Sequence, residues 1–205
     1  AAVLGRNGAG KTTFIRCIAN LIAHQGSIVL EEDGKKLGRS SIAYLPQLEK
    51  ITSSLTTFET ILLGLTKTLS WKISEAQLAK VSQVIRELKL DAFANTPVRS
   101  LSGGQKQLVF LAQSFVSEPR LLLLDEPTSA LDVRHQLVVM ETVHRYCKKR
   151  NAVALYVIHD LMLASRFSDA VLFLHNGMAH AFDTPDAVLN SETIDPIYQI
   201  ERSEE

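Results

Sequence analysis

Gly5-Arg6-Asn7-Gly8-Ala9-Gly10-Lys11-Thr12 fits the pattern G-x-x-x-x-G-K-[ST]. A strand-like run, Ala1–Leu4, precedes it and a helical run begins at Thr13. Glycines at these spacings let the backbone curl until several N–H groups point inward at phosphate oxygens. The start of the following helix adds the positive end of its dipole. Gly5, Asn7, Gly8, Ala9, Gly10, Lys11, Thr12 and Thr13 are therefore expected to cradle a nucleotide polyphosphate. Lys11 would reach the β- and γ-phosphates and the Thr12 hydroxyl would ligate Mg²⁺.

A second set of residues suits hydrolysis. Leu121-Leu122-Leu123-Leu124-Asp125-Glu126 is an apolar strand that ends in two acids. Taken alone, it also fits a buried strand meeting solvent. Beside a phosphate loop, Asp125 is expected to hold Mg²⁺ and Glu126 to polarise a water for in-line attack. His159 follows the apolar strand Val153–Ile158, at the edge where open α/β sheets bind ligands. The other five histidines read as structural. Gln47 follows the strand Ile42–Leu45, where a neutral side chain could ligate Mg²⁺ or orient water; alone it reads as a loop residue.

A third feature is Leu101-Ser102-Gly103-Gly104-Gln105, ahead of a helical run from Lys106 to Val116. A hydroxyl, bare backbone N–H groups and a helix dipole make a second anion-binding device. Ser102, Gly103, Gly104 and Gln105 lie far from Lys11 in sequence. An economical arrangement sandwiches each nucleotide between two chains, one giving the glycine-rich loop and the other the Ser-Gly-Gly segment.

The elements that must position these residues alternate between strand and helix, which predicts an α/β fold with a parallel sheet covered by helices. Strands are expected at Ala1–Leu4, Ser27–Leu30, Ile42–Leu45, Leu121–Leu124, Val153–Ile158 and Val171–Leu174, with a last strand after the Asn176-Gly177 turn. From Thr52 to about Ser100 the strands stop. A helix is expected from Thr57 to Leu65, and Ser74-Glu75-Ala76-Gln77 is a capping box opening another, with Val81, Val84, Ile85 and Leu88 at helical spacing.

The chain of 205 residues is one domain's worth, with 46% hydrophobic and 21% charged residues. Its 22 Lys plus Arg balance 22 Asp plus Glu, which argues against a main business with nucleic acid. Cys17 and Cys147 read as inert thiols in a reducing compartment. Lys148-Lys149-Arg150 reads as a run complementing a helix dipole. No apolar run reaches membrane-spanning length. The first residue is not Met, and a stretch upstream of the first strand is expected to be missing.

With these motifs in order, the chain resembles the ATP-binding cassette (ABC) family of transporter ATPases along essentially its whole length. Gly5–Thr13 looks like the Walker A motif, Gln47 the Q-loop, Leu101–Gln105 the signature and Asp125–Glu126 the Walker B with its catalytic glutamate. Ser129-Ala130-Leu131-Asp132 looks like the D-loop and His159 the switch histidine. The resemblance implies ATP and Mg²⁺ as cofactors, with Thr12, Gln47 and Asp125 at the metal and Asp132 at the nucleotide interface. It implies a RecA-like core of residues 1–51 and 111–205, with a helical subdomain, 52–110, carrying the signature. The family's adenine-stacking aromatic and two further strands would lie upstream of Ala1.

A narrower resemblance is to importers of iron-siderophores, haem and cobalamin. It rests on Ser53–Glu59 with Gly64, Trp71-Lys72-Ile73-Ser74, Thr128–Leu137, His159–Ala164, and Thr184–Leu189 through Ile197-Tyr198. It implies a homodimer with sandwiched ATP, transmembrane permease partners, indirectly a substrate-binding protein, and a peripheral place on the cytoplasmic face of the inner membrane. A soluble relative serving DNA repair or translation would carry paired cassettes, coiled-coil arms or basic extensions. A GTPase would need an Asn-Lys-x-Asp reader. Glu126 and His159 argue against an inactive nucleotide-binding module.

Overall fold

The computed structural model describes residues 1–48, 53–68, 73–190 and 194. Its elements are β1 (Ala2–Leu4), α1 (Lys11–Ile18), β2 (Glu31–Glu32), β3 (Lys35–Lys36), β4 (Ile42–Leu45), α2 (Thr57–Leu62), α3 (Glu75–Glu87) and α4 (Gly103–Phe115). They continue with β5 (Leu121–Asp125), α5 (Val133–Arg150), β6 (Val153–Val157), α6 (Leu161–Phe167), β7 (Val171–His175), β8 (Met178–Asp183) and α7 (Pro185–Val188). Trp71-Lys72, Ile197-Tyr198 and the 51/52 boundary lie outside the described residues.

The main sheet runs β4-β5-β6-β1-β7-β8. All its neighbours are parallel except the β7–β8 hairpin, which turns at Asn176-Gly177 with both residues at positive φ. The unbroken leucine run of β5 follows from helices on both faces. Leu122 and Leu124 pack with Leu111 and Phe115 of α4 and with Val139, Met140 and Val143 of α5. Leu121 and Leu123 pack on the opposite face with Ile15 and Phe14 of α1.

A separate apolar cluster unites Ile61 of α2, Val81 and Ile85 of α3, and Val109, Ala112 and Val116 in and after α4. Helix α4 therefore faces two ways, one side toward the sheet and one toward the helical region. Thr56 and Ser74 close capping boxes with Glu59 and Gln77 at the starts of α2 and α3.

Two helix starts fall earlier than the sequence predicts, at Lys11 rather than Thr13 and at Gly103 rather than Lys106. Ser27–Leu30, expected as a strand, forms none; the pairing is Glu31-Glu32 with Lys35-Lys36 around Asp33-Gly34. Both turn residues have positive φ, which sets the hairpin register there, and Ile28 and Val29 are left half exposed.

The basic run Lys148–Arg150 does end α5. Lys149 additionally pairs with Glu87 of α3 at 2.6 Å, and Arg150 with Glu118 at 3.1 Å. Both cysteines are free, and burial pushes the Cys147 thiol up to about 11. Among the described residues no helix is long and apolar enough to cross a membrane.

Candidate active site

The glycine-rich loop leaves the C-terminal end of β1 and turns into α1. Gly5 has φ +143°, and a Cβ there would strike the carbonyl oxygen of Leu174 on β7, so no larger residue fits. Gly10, at φ +95°, precedes α1 without any side-chain cap. Each of α2 to α6 has such a cap, from Thr56, Ser74, Ser102, Asp132 and Asp160. The first-turn N–H groups of α1 are thus left for a ligand. Lys11 is buried and folds back over the loop, donating to the carbonyls of Gly5 at 2.8 Å and Arg6 at 3.0 Å. Burial lowers its pKa, and the charges of Glu126 and Asp125 oppose that shift.

The C-terminal ends of three adjacent parallel strands supply the other side. Asp125 closes β5 at 2% exposure and accepts from the Thr12 hydroxyl at 3.0 Å and the Tyr44 hydroxyl at 3.3 Å. Glu126 comes next, with φ 50°, an uncommon conformation for a residue with a side chain. Its carboxylate accepts from Gln47 Nε2 at 2.7 Å on one oxygen and lies 2.8 Å from His159 Nε2 on the other. With the carboxylate ionised, it only accepts, so Nε2 of His159 carries the hydrogen. Gln47 follows β4 and His159 follows β6, so both flank Glu126 from neighbouring strand ends.

Asn7, Gly8, Gly10, Lys11, Thr12, Thr13, Gln47, Glu126 and His159 line one cleft of about 500 Å³. Gly5, Ala9 and Asp125 lie buried next to it. The arrangement offers N–H groups and an ammonium for polyphosphate, and a carboxylate able to take a proton from water.

Ser102, Gly103, Gly104, Gln105 and Asp132 do not line this cleft. They gather at the starts of α4 and α5. The Ser102 hydroxyl accepts from the Gln105 N–H, and the Gln105 side chain accepts from the Ser102 N–H. Sequence reasoning missed this capping box, although Ser-x-x-Gln signals it. It also missed Tyr44, whose hydroxyl accepts from Arg16 Nε and donates to Asp125. Tyr44 pairs with Leu123, two residues before Asp125, so strand alternation puts it on the aspartate's face. Burial raises the Tyr44 pKa and keeps it a donor.

The profile of the ABC transporter family matches residues 1–129. The chain belongs to the ABC transporter family. As an ABC ATPase it binds and hydrolyses ATP. An ABC transporter ATP-binding protein of Methanocaldococcus jannaschii is 35% identical, over 98% of this chain and 80% of that protein. The hemin import ATP-binding protein of Mesorhizobium japonicum is 31% identical, over 97% of this chain and 80% of its own length. The iron(3+)-hydroxamate import ATP-binding protein of Bacillus subtilis is 31% identical, over 97% and 77%. A solved metal-chelate type ABC transporter in an inward-facing conformation superposes with a TM-score of 0.87 at 27% identity, covering 97% of this chain and 76% of that one.

Proposed function

We propose that this ABC ATPase powers an importer of an iron-siderophore-type solute: an iron complex, haem or cobalamin. It works as a homodimer at the cytoplasmic face of the inner membrane, bound to permease subunits that receive solute from a binding protein. The named relatives that act on hemin and iron(3+)-hydroxamate support the solute class. In this reading residues 1–51 and 111–205 are the RecA-like core, and 52–110 the helical subdomain.

The observation that carries the mechanism is Glu126, clamped between Gln47 and His159 in the cleft that Lys11 also lines. Lys11 and the loop N–H groups hold the β- and γ-phosphates. Glu126 takes a proton from the attacking water as the bond from the γ-phosphorus to the bridging oxygen breaks. Gln47 and His159 orient its carboxylate, and His159 faces the γ-phosphate. Ser102 to Gln105 and Asp132 serve the nucleotide of the second chain.

Thr12 Oγ1 and Asp125 Oδ1, 3.0 Å apart, are hard oxygen donors and fit Mg²⁺, an ion that keeps several waters and takes few protein ligands. The Gln47 amide oxygen would be a third donor. When bound, the ion neutralises charge on the phosphate oxygens.

Glu126→Gln keeps the shape and loses the basicity. It is expected to bind ATP as the parent does and to lose about 10²–10⁴-fold in turnover. Near-parental hydrolysis would overturn the assignment of the base.

A further inference from the structure

His135, in the first turn of α5, joins two segments that sequence reasoning treated separately. Its backbone N–H donates to Asp132 Oδ1 at 2.9 Å, and its ring Nδ1 lies 2.9 and 2.8 Å from the two carboxylate oxygens. Hydrogen bonds from the His135 backbone, then from its ring, hold the Asp132 carboxyl below its usual range. The carboxylate therefore accepts, Nδ1 carries the hydrogen, and the ring is fixed in plane.

The far edge of that ring rests on Gly104, in the first turn of α4. A Cβ built on Gly104 would lie 2.8 Å from the ring Cγ and 3.0 Å from Nε2, with Cδ2 nearer still. Beside it, a Cβ on Gly103 would sit 3.7 Å from Leu131 Cδ2. The turn 129–132 leads back to the cleft, where the Ser129 hydroxyl and N–H both donate to the Glu126 carbonyl, at 3.0 and 3.2 Å. One ring thus sets the spacing between the start of α4 and the turn that follows Glu126.

We propose that His135 is a positioning residue that registers the Ser102–Gln105 helix start against the Ser129–Asp132 turn. The proposal rests on the reading that these segments complete a second chain's nucleotide site. His135 touches no nucleotide in its own cleft. Its loss should therefore leave monomer affinity for ATP intact and weaken the step that needs both segments in register.

The test compares His135→Ala with His135→Asn, whose amide keeps a donor for Asp132 but lacks the ring. Both are expected to bind ATP as the parent does and to lose turnover by about tenfold or more, the scale of small misplacements. Both variants keep the cap, because Asp132 accepts from the backbone N–H of residue 135, and the Asn variant keeps a side-chain donor to Asp132 as well. Gly104→Ala should melt below the parent, and adding His135→Ala should recover part of that loss. Parental turnover in His135→Asn would overturn the proposal, as would a matching fall in its monomer ATP affinity. Glu126→Gln separates the two readings. If it forms no dimer with ATP, both fall. If it dimerises and His135→Asn turns over normally, the role of His135 alone is refuted.

Discussion

Replacing Thr12 by Val removes one oxygen and little volume, and the structure says what that oxygen does before any nucleotide arrives. Asp125 is 2% exposed and has two hydroxyl partners, Thr12 at 3.0 Å and Tyr44 at 3.3 Å. Thr12→Val takes away the nearer one. A hydrogen bond to a charged group contributes about 1.5–3 kcal/mol. For a domain of this size each kcal/mol moves the melting midpoint by about 2–4 °C, so a fall of about 3–12 °C is expected without nucleotide. Thermal unfolding followed by circular dichroism reads it. Asp125→Asn in the same background should absorb most of the effect, because the charge that needed the hydroxyl is gone. Magnesium and ATP should raise the parent's midpoint by mass action and raise that of Thr12→Val much less. A nucleotide-free midpoint unchanged in Thr12→Val, or effects of the two substitutions that simply add, would refute this reasoning.

Ser102→Arg should block the start of α4 and abolish hydrolysis while leaving monomer ATP affinity near parental; equal loss of monomer affinity in a titration would put Ser102 in its own chain's site. Gly5→Ala should lower both stability and ATP affinity, since a side chain there meets the Leu174 carbonyl at a φ of +143°; unchanged melting would contradict that packing. Glu59 is held below its usual 4.5 by the Thr56 N–H and hydroxyl, so its stabilising contribution is complete above about that pH and is lost as pH falls through the depressed folded value. Glu59→Gln should therefore show a shallower acid loss in urea unfolding between neutral pH and the acid limb, and an identical slope would count against the capping box. Cys147, with its thiol pushed up to about 11, should react slowly with a thiol reagent at neutral pH, and rapid labelling of it would contradict its burial.

Much of the fold was legible because its signals are local. The phosphate-loop pattern, the capping box at Ser74 and the Asn176-Gly177 hairpin each act within a few residues. The apolar run of β5 announced a strand buried on both faces. The error at Ser27–Leu30 came from weighing apolar content above turn chemistry, when Asp33-Gly34 sets the register of the adjacent hairpin.

What stayed hidden depends on contacts distant in sequence. The sheet order puts Gln47, Glu126 and His159 side by side, yet their spacing in the chain does not say so. Tyr44 is recognisable as a partner of Asp125 once β4 is known to neighbour β5. The contact of His135 with Gly104 depends on how two helices cross. Gly104 itself was read as a bare N–H for phosphate, and the structure adds that a ring occupies the space a side chain would need.

The central claim is that the cleft holding Glu126 is completed by Ser102 to Gln105 of a second chain. Light scattering on purified Glu126→Gln, with and without ATP and Mg²⁺, tests it most directly. Blocked hydrolysis should hold the sandwich closed, so the mass should double when ATP is present, and Ser102→Arg in the same background should return it to the monomer. A monomeric mass at every concentration of protein and ATP, or a dimer indifferent to both ATP and Ser102→Arg, would contradict the account.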